Sequence, residues 1–97
     1  MLNDYTMSHH MRADRVDRLT KIAITIGFGE IIKEAPIRGA VGMFSDTGVL
    51  YIVNKKKKLI ITAYVATVDE AVAFYGGRLP PKIFAVVRKN EQKNWDF

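Results

Sequence analysis

The stretch Val49-Leu50-Tyr51-Ile52-Val53-Asn54-Lys55-Lys56-Lys57-Lys58-Leu59-Ile60-Ile61-Thr62-Ala63-Tyr64-Val65 decides the fold class. Val49–Val53 is β-branched and aromatic-rich and reads as a strand. Asn54 through Lys58 is short and polar, the composition of a hairpin connection, and Leu59–Val65 is the next strand. A connection this short forces the two strands antiparallel, because a parallel return needs a dozen or more residues. Along Leu59–Val65 the pleat sends Ile60, Thr62 and Tyr64 to one face and Leu59, Ile61, Ala63 and Val65 to the other. The second set is uniformly apolar and is expected to face the core. Thr62 and Tyr64 are then expected side by side on the less apolar face.

Working outward, Gly39-Ala40-Val41-Gly42-Met43-Phe44 reads as a short strand and Ser45-Asp46-Thr47-Gly48 as a turn, giving three antiparallel strands in a meander. Downstream, Thr67-Val68-Asp69-Glu70 has the form of a capping box, and Gly76-Gly77 can end the two-turn helix it starts. Pro80-Pro81 suits a first helical turn, and Ile83, Phe84 and Val87 follow helical spacing. The run Ile83 to Val87 would also serve as a fourth strand; helix is the preferred reading. Upstream, residues 1–6 form a polar lead and Ser8 can cap a helix whose apolar side is Met11, Val16, Leu19, Ile22 and Ala23. Gly27-Phe28-Gly29 should bend that helix, and a further turn through Glu30–Ala35 should stop at Pro36. Helix is thus expected for most of 8–34. The expected fold class is α+β. An N-terminal helical segment packs on a small antiparallel sheet of three to four strands, followed by a C-terminal helix, all in one compact domain over residues 1–97.

The 97 residues are 48% hydrophobic, enough for a real core. Fifteen Lys+Arg against ten Asp+Glu give a net charge of +5, so polyanions are favoured partners. Cysteine is absent, which excludes disulfides, thiolate metal sites and cysteine nucleophiles. No apolar run reaches the ~18 residues that span a bilayer, and Met1-Leu2-Asn3-Asp4-Tyr5 lacks a basic start, so no membrane and a cytoplasmic location are expected.

Both histidines lie in Ser8-His9-His10-Met11-Arg12-Ala13-Asp14-Arg15-Val16-Asp17-Arg18, where arginines follow His9 at every third position. On a helix His9, Arg12 and Arg15 would share one broad face, joining a group that titrates near neutral pH to fixed positive charge. Asp14–Arg18 has the favourable acid-first i,i+4 orientation, so Arg18 reads as a structural ion pair, while Arg12 has no carboxylate at i±4. Thr62 and Tyr64 form a second candidate pair: their hydroxyls can donate to a phosphate oxygen, and the tyrosine ring can stack on a base. Lys55, Lys56, Lys57 and Lys58 would be sequence-nonspecific phosphate contacts or solubilising charge. Gly27-Phe28-Gly29 lacks the third glycine and the preceding strand of a dinucleotide loop, and two adjacent histidines without carboxylates make a poor metal site. No cofactor and no metal are expected.

A Ser-His…Arg…Arg helix followed by a small antiparallel sheet ending in Ile-Ile-Thr-Ala-Tyr resembles the compact endoribonucleases of the barnase–EndoU–colicin–RelE superfamily. The chain looks most like its phage-borne and toxin-like members. The resemblance spans roughly residues 7–65 and rests on two short motifs. It implies RNA cleavage without a metal, by attack of the 2′-hydroxyl. It assigns His9 or His10 as acid/base, Arg12 to the phosphate, and Thr62 and Tyr64 to the site; Arg15, on the same helix face, is expected as a further nucleic-acid contact. RNA is the implied partner, with an antitoxin or immunity protein as a second. The chain departs from the pattern in lacking a third histidine or an obvious glutamate beside the Thr-x-Tyr strand.

Two readings compete with this one. The same basic surface would serve a non-catalytic domain that binds nucleic acid or a partner protein. Phe74, Tyr75 and the tail Trp95-Asp96-Phe97 would serve as the contact of a homo-oligomeric structural protein.

Overall fold

A computed structural model describes residues 2, 4–8, 18–93 and 95. Its turns set the strand order. Ile37 and Ala40 pair across Arg38-Gly39, whose φ angles of 44° and 81° make a two-residue primed turn that matches the right-handed twist of its strands. That turn joins β2 (Ile31–Ile37) to β3 (Ala40–Ser45). Residues 46–48 lead into β4 (Val49–Asn54), and the lysine turn 55–58 leads into β5 (Leu59–Val65). All three pairings are antiparallel. A short β1 (Thr6–Met7) lies parallel to β5 at the opposite edge, so the sheet order is β1-β5-β4-β3-β2.

Helices cover both faces of this sheet. Residues 18–25 are helical and form α1 as described here. Its Ile22 is fully buried against Met43, Val49, Tyr51, Val53 and Ala63. On the other face α2 (Val68–Phe74) and α3 (Pro81–Glu91) bring Ala71, Ile83 and Val87 onto Phe44 and Leu50. Phe44 is fully buried and stacks on Phe74 with centroids 5.7 Å apart, and Tyr75 meets it edge-on at 5.6 Å. Burying one such aromatic contributes up to ~3 kcal/mol of transfer free energy.

The α+β class and the three strands of the meander are as the sequence implies, as are the capping box and the C-terminal helix. Thr67 Oγ1 accepts from Glu70 N at 3.1 Å, and Glu70 Oε1 accepts from Thr67 N at 2.8 Å. Pro81 takes the first turn of α3, and Ile83–Val87 is helix rather than a fourth strand.

Three expectations are corrected. The sheet has five strands, not three or four, and is mixed rather than antiparallel, because Ile31–Ile37 joins it beside β3 and Thr6-Met7 joins it parallel to β5. The helix expected through Glu30–Ala35 is strand β2. Gly29, at φ 69°, turns the chain, and Asp46 then clamps Glu30. Its carboxylate accepts from Glu30 N at 3.0 Å while its own N–H donates to Glu30 O at 2.9 Å. The segment is thereby laid beside β3, where the ladder outweighs a weak helical spacing.

The third correction concerns faces. Ile52 pairs with Thr62 but Val53 pairs with Ile60, so Ile61 is the extra residue of a β-bulge. The bulge reverses the alternation before it. Ile60 packs on the α1 side of the core, and Ile61 is 37% exposed. The face of Thr62 and Tyr64 is not open: α2 and α3 cover it, and Tyr64 packs in the second cluster.

Candidate functional site

The carboxyl end of β5 runs out at a recess of about 620 Å³ lined by Arg18, Tyr64, Val65, Ala66, Thr67, Asn90, Glu91 and Trp95. Three elements and the segment after α3 converge there. The strand delivers Tyr64, the start of the described α1 delivers Arg18, and the end of α3 delivers Asn90 and Glu91. Trp95 follows α3 and is tied back by its Nε1, which donates to the Asn90 carbonyl at 2.6 Å.

Tyr64 sits half in the second core and half in the recess. Burial, and secondly the negative charge of Glu70, hold its hydroxyl above the usual tyrosine range. The phenol therefore stays protonated at neutral pH and is available as a donor. Glu91 Oε2 accepts from Val68 N at 2.8 Å, which fixes its carboxylate at the first turn of α2. The recess thus combines a guanidinium, a phenol and an indole, groups that can hold a phosphate and an adjacent base, with one carboxylate beside them.

Behind the recess lies a buried polar tie. Asn90 Nδ2 donates to the Thr47 carbonyl at 2.8 Å, and the Thr47 hydroxyl donates to Gly27 O at 2.8 Å. Ser45, fully buried, meets the Thr47 hydroxyl at 3.1 Å and accepts from Val49 N at 3.0 Å. These bonds join the β3–β4 turn to α3 and to the end of α1, so the walls of the recess are held from within.

His9, His10, Arg12 and Arg15 lie outside the described residues. Of the remaining sequence-derived candidates, Tyr64 lines the recess and Thr62 does not: Thr62 is half-buried opposite Ile52, one pleat repeat further back. Lys55–Lys58 occupy the far end of β5, roughly 20 Å from Tyr64 at the rise of an extended strand. Two of them are ion-paired, Lys55 Nζ to Glu34 at 2.9 Å and Lys58 Nζ to Asp4. The four lysines and Tyr64 therefore do not form one surface.

Sequence reasoning missed Glu91 and set Arg18 aside. Glu91 is distant along the chain, and only the packing of α3 against the end of β5 brings it to Tyr64. Arg18 belongs to the same arginine series as Arg12 and Arg15, so the three-residue spacing was the available signal. Trp95, Phe74 and Tyr75, expected as an oligomer contact, pack against the chain's own two core clusters; Asp96 and Phe97 lie outside the described residues. No helix among the described residues is long and apolar enough to cross a membrane. No family model, no curated protein and no solved structure matches the chain.

Proposed function

We propose that the protein is a metal-independent endoribonuclease of toxin-like or phage-borne type, with the recess at the end of β5 as its site. The observation that carries this reading is that Arg18, the last arginine of the His-Arg series, lines the same recess as Tyr64 of the Thr-x-Tyr strand. The end of the arginine series and the Thr-x-Tyr strand thus adjoin one recess, which supports the reading. The resemblance also implies an amino-terminal helix packed on an antiparallel sheet, and α1 lying on the β2–β5 meander is in keeping with it.

Cleavage by the 2′-hydroxyl needs a base for that hydroxyl, an acid for the leaving 5′-oxygen and cations around the phosphate. His9 or His10 takes the proton-transfer roles, because an imidazole titrates near the working pH. Arg12 and Arg18 supply fixed positive charge, and the Tyr64 phenol donates to a non-bridging phosphate oxygen. Glu91, at the rim of the same recess, is a carboxylate within the constellation that can take or orient a proton. Thr62 backs Tyr64 from within the strand. RNA is the substrate, and an inhibitory antitoxin or immunity protein is the partner such an enzyme requires in its own cytoplasm.

The test is incubation of purified protein with RNA in EDTA, beside the His9→Ala/His10→Ala double variant and Tyr64→Phe. Cleavage is expected with products ending in 2′,3′-cyclic phosphate. Loss of one donor to the phosphate should lower the rate of Tyr64→Phe by ~10² or more. Wild-type cleavage no faster than that of the histidine double variant refutes the enzyme.

A further inference from the structure

We infer that the outward face of α3 is a docking surface for single-stranded RNA, which it leads toward the recess. The choice of RNA rests on the function proposed above; the charge and shape of the face do not. Ile83, Val87 and Asn90 turn one side of α3 into the core, and positions 82, 84, 85, 88 and 89 are exposed on the other. Lys82, Arg88 and Lys89 put three cations on that exposed side, over about 10 Å of helix. Phe84, 40% exposed, stands one turn from Arg88 on the same side.

None of the three cations has an ion pair among the described residues. The helix's sole carboxylate, Glu91, sits at its end and is engaged by Val68 N. Helix stability accounts for part of this pattern only. Arg88 and Lys89 lie in the last turn, where cations complement the helix dipole. Lys82 lies in the first turn, where a cation opposes the dipole and no acidic residue offsets it. A polyanion laid along the face accounts for all three.

The exposed phenyl ring selects among polyanions. A base can stack on Phe84 only if it is not already paired inside a duplex, so the face suits a single strand. Phe84, Arg88 and Glu91 follow one another at helical spacing along one edge of the exposed side, with Lys82 and Lys89 along its other edge, and Glu91 lines the recess. A strand on this line therefore arrives beside Tyr64 and Arg18. The lysine turn offers no such continuity, lying at the other end of β5.

Binding is read by fluorescence anisotropy with a labelled 2′-O-methyl-oligouridylate of about 12 nucleotides, which cannot be cleaved and is long enough for one site. Three phosphate contacts give a salt slope near −2, or about 20-fold weaker binding at 200 than at 50 mM salt. Lys82→Ala/Arg88→Ala/Lys89→Ala should remove most of that slope, and Phe84→Ala should weaken binding at least about fivefold. Lys56→Ala/Lys57→Ala, which lowers net charge away from α3, should change affinity by less than either. The surface is refuted if the hairpin variant loses as much affinity as the α3 variants. Equal affinity for a duplex or for poly-glutamate refutes it as well. Binding that depends on α3 without any cleavage of ordinary RNA rejects the enzyme and keeps the surface; cleavage indifferent to the α3 variants does the reverse.

Discussion

Asn90 and Gly48 together test whether the wall of the recess is held by the buried tie behind it. Asn90 is 3% exposed, and its side-chain amide donates to the Thr47 carbonyl at 2.8 Å. Alanine there leaves that carbonyl without its donor, a loss of ~1–3 kcal/mol, and opens a small void beside it. A net cost of about 2 kcal/mol corresponds to a fall of ~8–16 °C in the melting temperature of a domain this size. Gly48 lies against the same amide: a Cβ on it would stand 2.6 Å from Asn90 Nδ2, and its φ is 93°. Gly48→Ala therefore carries two costs, backbone strain of ~1–2 kcal/mol and overpacking of ~1–3 kcal/mol.

Only the second of those costs depends on Asn90. In the Asn90→Ala background the clash disappears and the strain remains, so the double variant should be less destabilised than the two singles added. The expected coupling is ~1–2 kcal/mol, within the range found for residues in contact. Urea unfolding of the four proteins measures it, provided the slope with denaturant stays constant. Additivity to within ~0.5 kcal/mol would show that α3 and the β3–β4 turn are not packed as described.

Arg38 holds a positive φ of 44° in the primed turn, so Arg38→Asn should raise stability by ~0.5–1 kcal/mol, seen as a higher urea midpoint. Thr67→Ala removes the side-chain half of the α2 capping box and should cost about 1 kcal/mol by the same measurement. Burial pushes the Tyr51 hydroxyl from 10.0 up to about 12. Its folded-state value lies above its unfolded one, so the stability it contributes is complete below pH 10 and is lost as pH rises through about 12. Wild type should therefore lose stability faster than Tyr51→Phe over that interval; parallel curves would count against the burial of Tyr51.

The elements legible in the sequence are those whose local and tertiary signals agree. Val49–Val53 and Leu59–Val65 are β-branched, aromatic-rich and bounded by turns, and Thr67 with Glu70 encodes the start of α2 within four residues. Glu30–Ala35 reads as a further helical turn because Pro36 looks like its stop, yet Ile31–Ile37 is a strand. Burial alternates along the whole strand, but residue type does not follow it: Ile32 is 47% exposed beside the bulge while Lys33 lies on the more covered side. Nothing local announces that bulge, since it depends on how Ile31 and Lys33 pair with β3. Thr6-Met7 carries no period at all and becomes a strand only because β5 offers an open edge. At the site, Tyr64 was legible from its motif, whereas Glu91 reaches the recess only through the packing of α3.

The covering of both sheet faces changes what the Thr-x-Tyr motif means. In a sheet with one wet face, alternation alone would expose Thr62 and Tyr64 equally. Here α2 and α3 lie over that face and both residues are half-buried, so position along the strand decides which of them lines the recess. Thr62 lies deeper in the ladder opposite Ile52, and Tyr64 lies near the end, where β5 gives way to the first turn of α2. Its ring is held by the second core cluster while the same residue lines the recess. A phenol anchored by its apolar body keeps a fixed direction for its donor, the property that the proposed phosphate contact calls for. The helices that cover the face thus also hold the Tyr64 ring where it meets the recess.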